Sequence, residues 1–117
     1  MQITKNLNTS ELRCKCGKCE MKINKVAVNK LQTLRDLCGF PLIINSAYRC
    51  ERHNDDIGGA KDSMHMKGIA FDIGWLSMTQ EQRQTLLRRS TELFKGIGLA
   101  KSFLHVDDRP NPCVWMY

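Results

Sequence analysis

Long apolar runs are missing from this 117-residue chain. Nothing approaches the roughly 18 consecutive apolar residues that a membrane span needs, so membrane insertion is not expected. The N-terminal stretch Met1–Cys16 has no apolar h-region. A Sec-type leader is therefore not expected, and the chain is expected in the cytoplasm until it is released. Prolines number only 3 and aromatic residues make up 7%. No internal repeat, linker or low-complexity tract occurs. With 42% hydrophobic and 26% charged residues, disorder is a poor fit and one soluble globular domain over residues 1–117 is expected. The chain is too short for two independently folding domains.

Acidic residues are in deficit: 12 Asp and Glu face 18 Lys and Arg, a net charge of +6. That balance suits a polyanion, such as nucleic acid, acidic lipid or an anionic cell wall. The cations are scattered, and no basic arm or long basic run appears. Specific nucleic-acid binding is therefore not expected. The 6 cysteines amount to about 5% of the chain, below the roughly 8–10% of a disulfide scaffold. Reduced thiols or metal ligands are the default reading without a leader.

Residues 1–25 are polar and rich in Lys and Cys. Val28, Leu31, Leu34 and Leu37 then recur on one helical face, which predicts a helix over Val26–Leu37, stopped by Gly39 and Pro41. Leu42–Ile44 reads as a short buried strand. Residues 50–68, with Gly58, Gly59 and Gly68, read as a long loop. Ile69–Trp75 reads as a second strand. Thr79 and Gln82 fit a capping box, and the helix they open has Leu86, Leu87, Leu93, Phe94 and Ile97 on its buried face, with Gly96 and Gly98 closing it. Ser102–Asp107 reads as a third strand and Val114–Tyr117 as a fourth. The fold class is α+β: a small antiparallel sheet with flanking helices.

The three histidines, His53, His65 and His105, are where the chemistry is sought. His65 and Asp72 lie seven residues apart, across Gly68, with Asp72 just inside a predicted strand. The glycine lets the chain turn so that the two groups can converge. His105 and Asp107 share one face of another strand. Two imidazoles and a carboxylate, His65, Asp72 and His105, make a catalytic zinc set with an open fourth position. Zn²⁺ there would activate a water and polarise a carbonyl. Arg49, at the end of the first strand, is a candidate for holding a substrate carboxylate or an oxyanion.

The strings Ser46-Ala47-Tyr48-Arg49, His53-Asn54, Gly58-Gly59-Ala60, Ser63-x-His65-x-x-Gly68-x-Ala70-x-Asp72 and His105-x-Asp107 resemble the M15 peptidase family. That family comprises zinc D-Ala-D-Ala carboxypeptidases, D,D-dipeptidases and phage L-alanyl-D-glutamate endolysins, and it shares a fold with the hedgehog signalling domain. The resemblance runs in order from about Leu31 to the C-terminus. It implies a zinc peptidase acting on peptidoglycan stem peptides as a phage or prophage lysin, expected as a monomer. It implies His65, Asp72 and His105 as metal ligands and Arg49 as substrate or transition-state stabiliser. Ser63 and Trp115 are expected at the substrate and His53 behind the ligands.

Many members carry an acid three residues before the last zinc histidine. Here that slot is Ser102, and the resemblance to the branch with a His-x-Asp ending implies Asp107 as the catalytic acid instead, with orienting His105 or entering the coordination sphere as the alternatives. Trp75, Trp115 and Tyr117 are left as either core or cleft. The Cys14-x-Cys16-x-x-Cys19 group has one pair spaced too tightly for the usual zinc pattern. Its fourth ligand, Cys50 or Cys113, would come from far along the chain. Free thiols or a late disulfide are expected there rather than a metal. A different class of function, a non-catalytic zinc domain of hedgehog-like fold that binds a partner, remains the alternative to hydrolysis.

Overall fold

In the computed structural model, residues 7–22 and 24–117 are described. Helix α1 is a single turn, Thr9–Leu12. Helix α2 spans Lys25–Cys38, one residue longer at each end than its apolar pattern predicts. The Asn24 side chain caps α2 by accepting the Ala27 N–H at 3.0 Å. Gly39, at φ 72°, ends the helix in the left-handed conformation that a glycine adopts without strain. Strand β1 follows at Ile43–Ser46.

Two elements occupy the stretch expected as a loop. Helix α3 is Glu51–Asp56, and a 3₁₀ turn covers Met64–Lys67. Strand β2 is Ala70–Gly74, and helix α4 is Gln80–Leu93. The predicted capping box of α4 is present. Gln82 N–H donates to Thr79 Oγ1 at 3.1 Å, and Thr79 N–H donates to Gln82 Oε1 at 3.0 Å.

The expected extension of α4 to Ile97 is incorrect. Phe94 already has extended backbone angles, and Gly96–Leu99 forms strand β3. Leu93, Phe94 and Ile97 mimic a helical spacing, but Ile97 reaches the core by strand alternation. Strands β4 (Phe103–Asp107) and β5 (Cys113–Met116) complete a five-stranded sheet of order β1-β2-β4-β3-β5. Its pairings are antiparallel except β3 with β5, which is parallel.

Strand alternation divides the sheet into two faces. Phe71, Ile73, Leu104, Val106 and Ile97 pack with Val28, Leu31 and Leu34 of α2 and Leu86 of α4. Each such fully buried side chain stabilises the fold by about 1.5–3 kcal/mol. The alternate positions on β2 and β4, Asp72, His105 and Asp107, point to the opposite face. The core thus anchors the two strands on which the polar centre is built.

Candidate metal centre

Three features of the chain bring His65, Asp72 and His105 together. Antiparallel pairing of β2 with β4 sets Asp72 directly opposite His105. The 3₁₀ turn presents His65 just before β2. Gly68, at φ 74° and packed against the Lys22 carbonyl, reverses the chain between His65 and Asp72 as the sequence suggested. The ligand atoms of all three residues lie within 4.8 Å of one another.

Hydrogen bonds fix which nitrogen each imidazole offers. His65 Nδ1 lies 2.6 Å from the Ala47 carbonyl oxygen, which can only accept, so Nδ1 carries the proton. That leaves His65 Nε2 facing Asp72 Oδ1 at 3.1 Å. His105 Nε2–H donates to Asp107 Oδ2 at 2.6 Å, and its Nδ1 lies 2.9 Å from the same Asp72 oxygen.

Lone pairs of two imidazoles and a carboxylate directed at one point repel unless a proton or a cation lies among them. The donor set fits Zn²⁺, because bond lengths near 2.0–2.1 Å imply ligand separations of about 3.3 Å around a tetrahedral ion. Burial pushes the Asp72 carboxyl up, but the His105 and His65 imidazoles against it outweigh that and hold the group at about 2. Burial likewise pushes His105 down, and its hydrogen bonds to Asp107 and Asp72 prevail, so His105 lies above the ordinary imidazole value.

Asp107 is fully buried and its oxygens are engaged. Besides His105, it accepts Arg109 Nη2–H at 2.7 Å on Oδ2. On Oδ1 it accepts Arg109 Nε–H at 2.8 Å and the Arg109 backbone N–H at 3.1 Å. Burial raises its carboxyl, but Arg109 and then His105 hold it well below the usual range. Asp107 is thus engaged within the fold and is not among the residues that line the cleft. Among the described residues, the carboxylates that line the cleft are Asp62 and Asp72. Ser102 is exposed in the turn before β4, where its carbonyl accepts the Trp75 N–H at 3.1 Å.

The cleft over the centre has a volume of about 680 Å³. Arg49, Ser63, Trp115 and Tyr117 line it together with His65, Asp72 and His105. Arg49 Nη2–H donates to Ser63 Oγ at 3.1 Å, and Ser63 Oγ also accepts the His65 N–H at 3.2 Å. Arg49 Nε is buried without a hydrogen-bond partner, so the guanidinium keeps donor capacity. Trp115 packs on His105, ring centroids 5.1 Å apart, and the Arg109 guanidinium stacks 4.7 Å from the Trp115 centroid. Trp75 belongs instead to the core, its Nε1–H donating to the Ala100 carbonyl at 3.0 Å.

His53 does not join this centre. It sits on α3, outside the cleft lining, and its backbone N–H donates to Cys50 Sγ at 3.4 Å. Sequence reasoning missed Arg109 and the two glycines of β3. A Cβ on Gly96 would fall on the Asp107 carboxylate and the Arg109 Nε, and one on Gly98 would lie 2.6 Å from the Trp115 ring. The period-two string Gly96-Ile97-Gly98-Leu99, with Asp107-x-Arg109, was the available signal.

Cys14, Cys16 and Cys19, expected as free thiols or a late disulfide, are free thiols in the structure. The fold brings Cys50 to these three, and all four Sγ atoms lie within 4.8 Å of one another with no disulfide among them. Spacing along the sequence could not show this, because Cys50 follows Cys14 by 36 residues.

A family model described as Peptidase M15 matches residues 5–107. No curated protein matches the chain.

Proposed function

Since the chain belongs to the M15 peptidase family, we propose that it is a zinc-dependent hydrolase of peptidoglycan stem peptides acting at the bacterial cell wall. The observation that carries this reading is the convergence of His65 Nε2, Asp72 Oδ1 and His105 Nδ1 on one point beneath an open cleft. Zn²⁺ held there by His65, Asp72 and His105 would supply Lewis acidity and lower the pKa of a water.

The chain's own residues do the rest. Ala47 and Asp107 hold the protons on His65 Nδ1 and His105 Nε2, which keeps the other ring nitrogens available as ligands. Arg109 holds Asp107 ionised and in place. The Arg49 guanidinium, positioned by Ser63, binds a carboxylate of the stem peptide. Trp115 and Tyr117 form an aromatic wall of the cleft against which a short peptide packs. The scissile bond is L-Ala–D-Glu or D-Ala–D-Ala, the latter in a carboxypeptidase and the former in an endolysin of phage type.

The test is mass spectrometry of purified stem peptides after incubation with zinc-loaded protein, with and without chelator. Chelator-sensitive loss of the terminal alanine identifies a D,D-carboxypeptidase. A chelator-sensitive cut after the first alanine identifies an L-alanyl-D-glutamate endopeptidase. One observation favours a second reading, a non-catalytic zinc domain that binds a partner: Ser102 fills the usual acid position and Asp107 is wholly engaged with His105 and Arg109. Absence of any product from protein with its His-site metal bound would favour that reading over hydrolysis.

A further inference from the structure

We infer that Cys14, Cys16, Cys19 and Cys50 form a second metal centre, a closed tetrathiolate zinc site that fastens the N-terminal segment to the chain beside Arg49. The sulfur geometry carries this. Sγ separations are 3.5 Å for Cys16–Cys19, 3.7 Å for Cys14–Cys50 and 3.8 Å for Cys16–Cys50. A disulfide requires about 2.05 Å. Tetrahedral Zn²⁺ with Zn–S bonds near 2.3 Å requires edges of about 3.8 Å. The four sulfurs are therefore spaced as ligands of one common ion.

The surrounding backbone is arranged for thiolates. Lys18 N–H donates to Cys16 Sγ, Cys50 N–H to Cys14 Sγ and His53 N–H to Cys50 Sγ, each at 3.4 Å. Such donors offset the negative charge of a tetrathiolate, as outer partners do at metal sites generally. Gly17, at φ 69°, makes the turn that lets Cys16 and Cys19 face the same point, and its N–H donates to the Cys14 carbonyl at 3.1 Å. Four thiols give up their protons on binding, and four protein ligands leave no open position, so the site is structural and not hydrolytic.

Its place in the fold gives it a task. Residues 13–22 contain no helix or strand, and only Cys14 among them is buried. So little apolar burial cannot order ten residues against their conformational entropy, and a metal cross-link supplies what the core does not. The link reaches the cleft directly. Cys50 adjoins Arg49, whose backbone N–H donates to the His65 carbonyl at 3.2 Å, and Tyr48 N–H donates to the Leu12 carbonyl at 3.1 Å.

The test is a metal count by elemental analysis, with cobalt spectroscopy, on full-length protein prepared with zinc under reducing conditions. Two zinc ions per chain are expected in the unaltered protein and one in His65→Ala. Co²⁺ should give an intense thiolate-to-metal charge-transfer band in both, and no such band in the C16S/C19S double variant. Because that variant could fail to fold, alkylation of the unaltered protein provides a second measurement. Zinc should shield the four clustered thiols, while exposed Cys113 reacts with or without it. One zinc per chain with all four thiols reactive, iron in place of zinc, or disulfides within the cluster would each overturn the proposal. Failure to hydrolyse stem peptides with both zinc ions bound would count against the proposed activity and leave this site standing.

Discussion

The His105 ring is held between two carboxylates, and that placement decides what a metal must displace. Its pKa lies above the ordinary imidazole value because hydrogen bonds to Asp107 and Asp72 outweigh burial. In the metal-free site the ring therefore keeps both protons to a higher pH than free imidazole, about 6.5. Metal binding at Nδ1 must release one of them. Zinc affinity at this centre should rise with pH up to the raised His105 value and level off above it. Calorimetric zinc titrations near pH 6.5, in buffers of different ionisation enthalpy, should show proton release that is diminished in His105→Ala; equal release from both would sink the assignment. Asp107→Asn removes the charge that orients the ring, and should weaken zinc binding by about 10–100-fold, with most of kcat restored by excess zinc. Unchanged zinc affinity with a lost kcat would instead make Asp107 the proton acceptor. The convergence of His65, Asp72 and His105 was legible because a turn glycine and strand parity both leave marks in the sequence. The full engagement of Asp107 was not, because it depends on Arg109, a partner that only the bend after β4 brings onto the carboxylate.

At the scale of elements, the centre depends on strand β3 as much as on the strands that carry Asp72 and His105. Gly96 leaves space for the Asp107–Arg109 pair, and Gly98 leaves space for Trp115 to cross the sheet and touch His105. Gly96→Ala should cost about 1–3 kcal/mol of stability, because a fully buried carboxylate has nowhere to move, and zinc affinity should fall with it. Gly98→Ala should displace the Trp115 ring and raise KM more than it lowers zinc affinity. Thermal unfolding and metal titration of both variants check this, and a Gly96→Ala protein with unaltered zinc affinity would show that the pair is dispensable. The long helices were legible from apolar spacing and caps. Helix α3 was not, since Glu51–Asp56 is wholly polar and its cap is the Cys50 sulfur, not a Ser, Thr, Asp or Asn oxygen. Strand β3 was hidden because Leu93, Phe94 and Ile97 continue a helical rhythm past the end of α4 at Leu93.

Over the whole molecule, charge bears on where the protein works. The net charge of +6 is spread along the chain, and Arg49, Lys61 and Arg109 line the cleft itself. An anionic wall would attract such a surface over distances set by salt, about 8 Å at physiological ionic strength and less above it. The ion pairs at the centre are short and largely buried, so salt screens them much less. The two effects separate by substrate. On intact wall fragments, the initial rate should fall several-fold as salt is raised from low to high ionic strength. On a soluble stem peptide of low charge, the rate should change little over the same range, because only the local contact proposed for Arg49 would be involved. Rates measured in parallel on both substrates decide the matter. Equal salt dependence would confine the electrostatic contribution to the cleft, and a rise in wall hydrolysis with salt would reverse the assigned sign of the attraction.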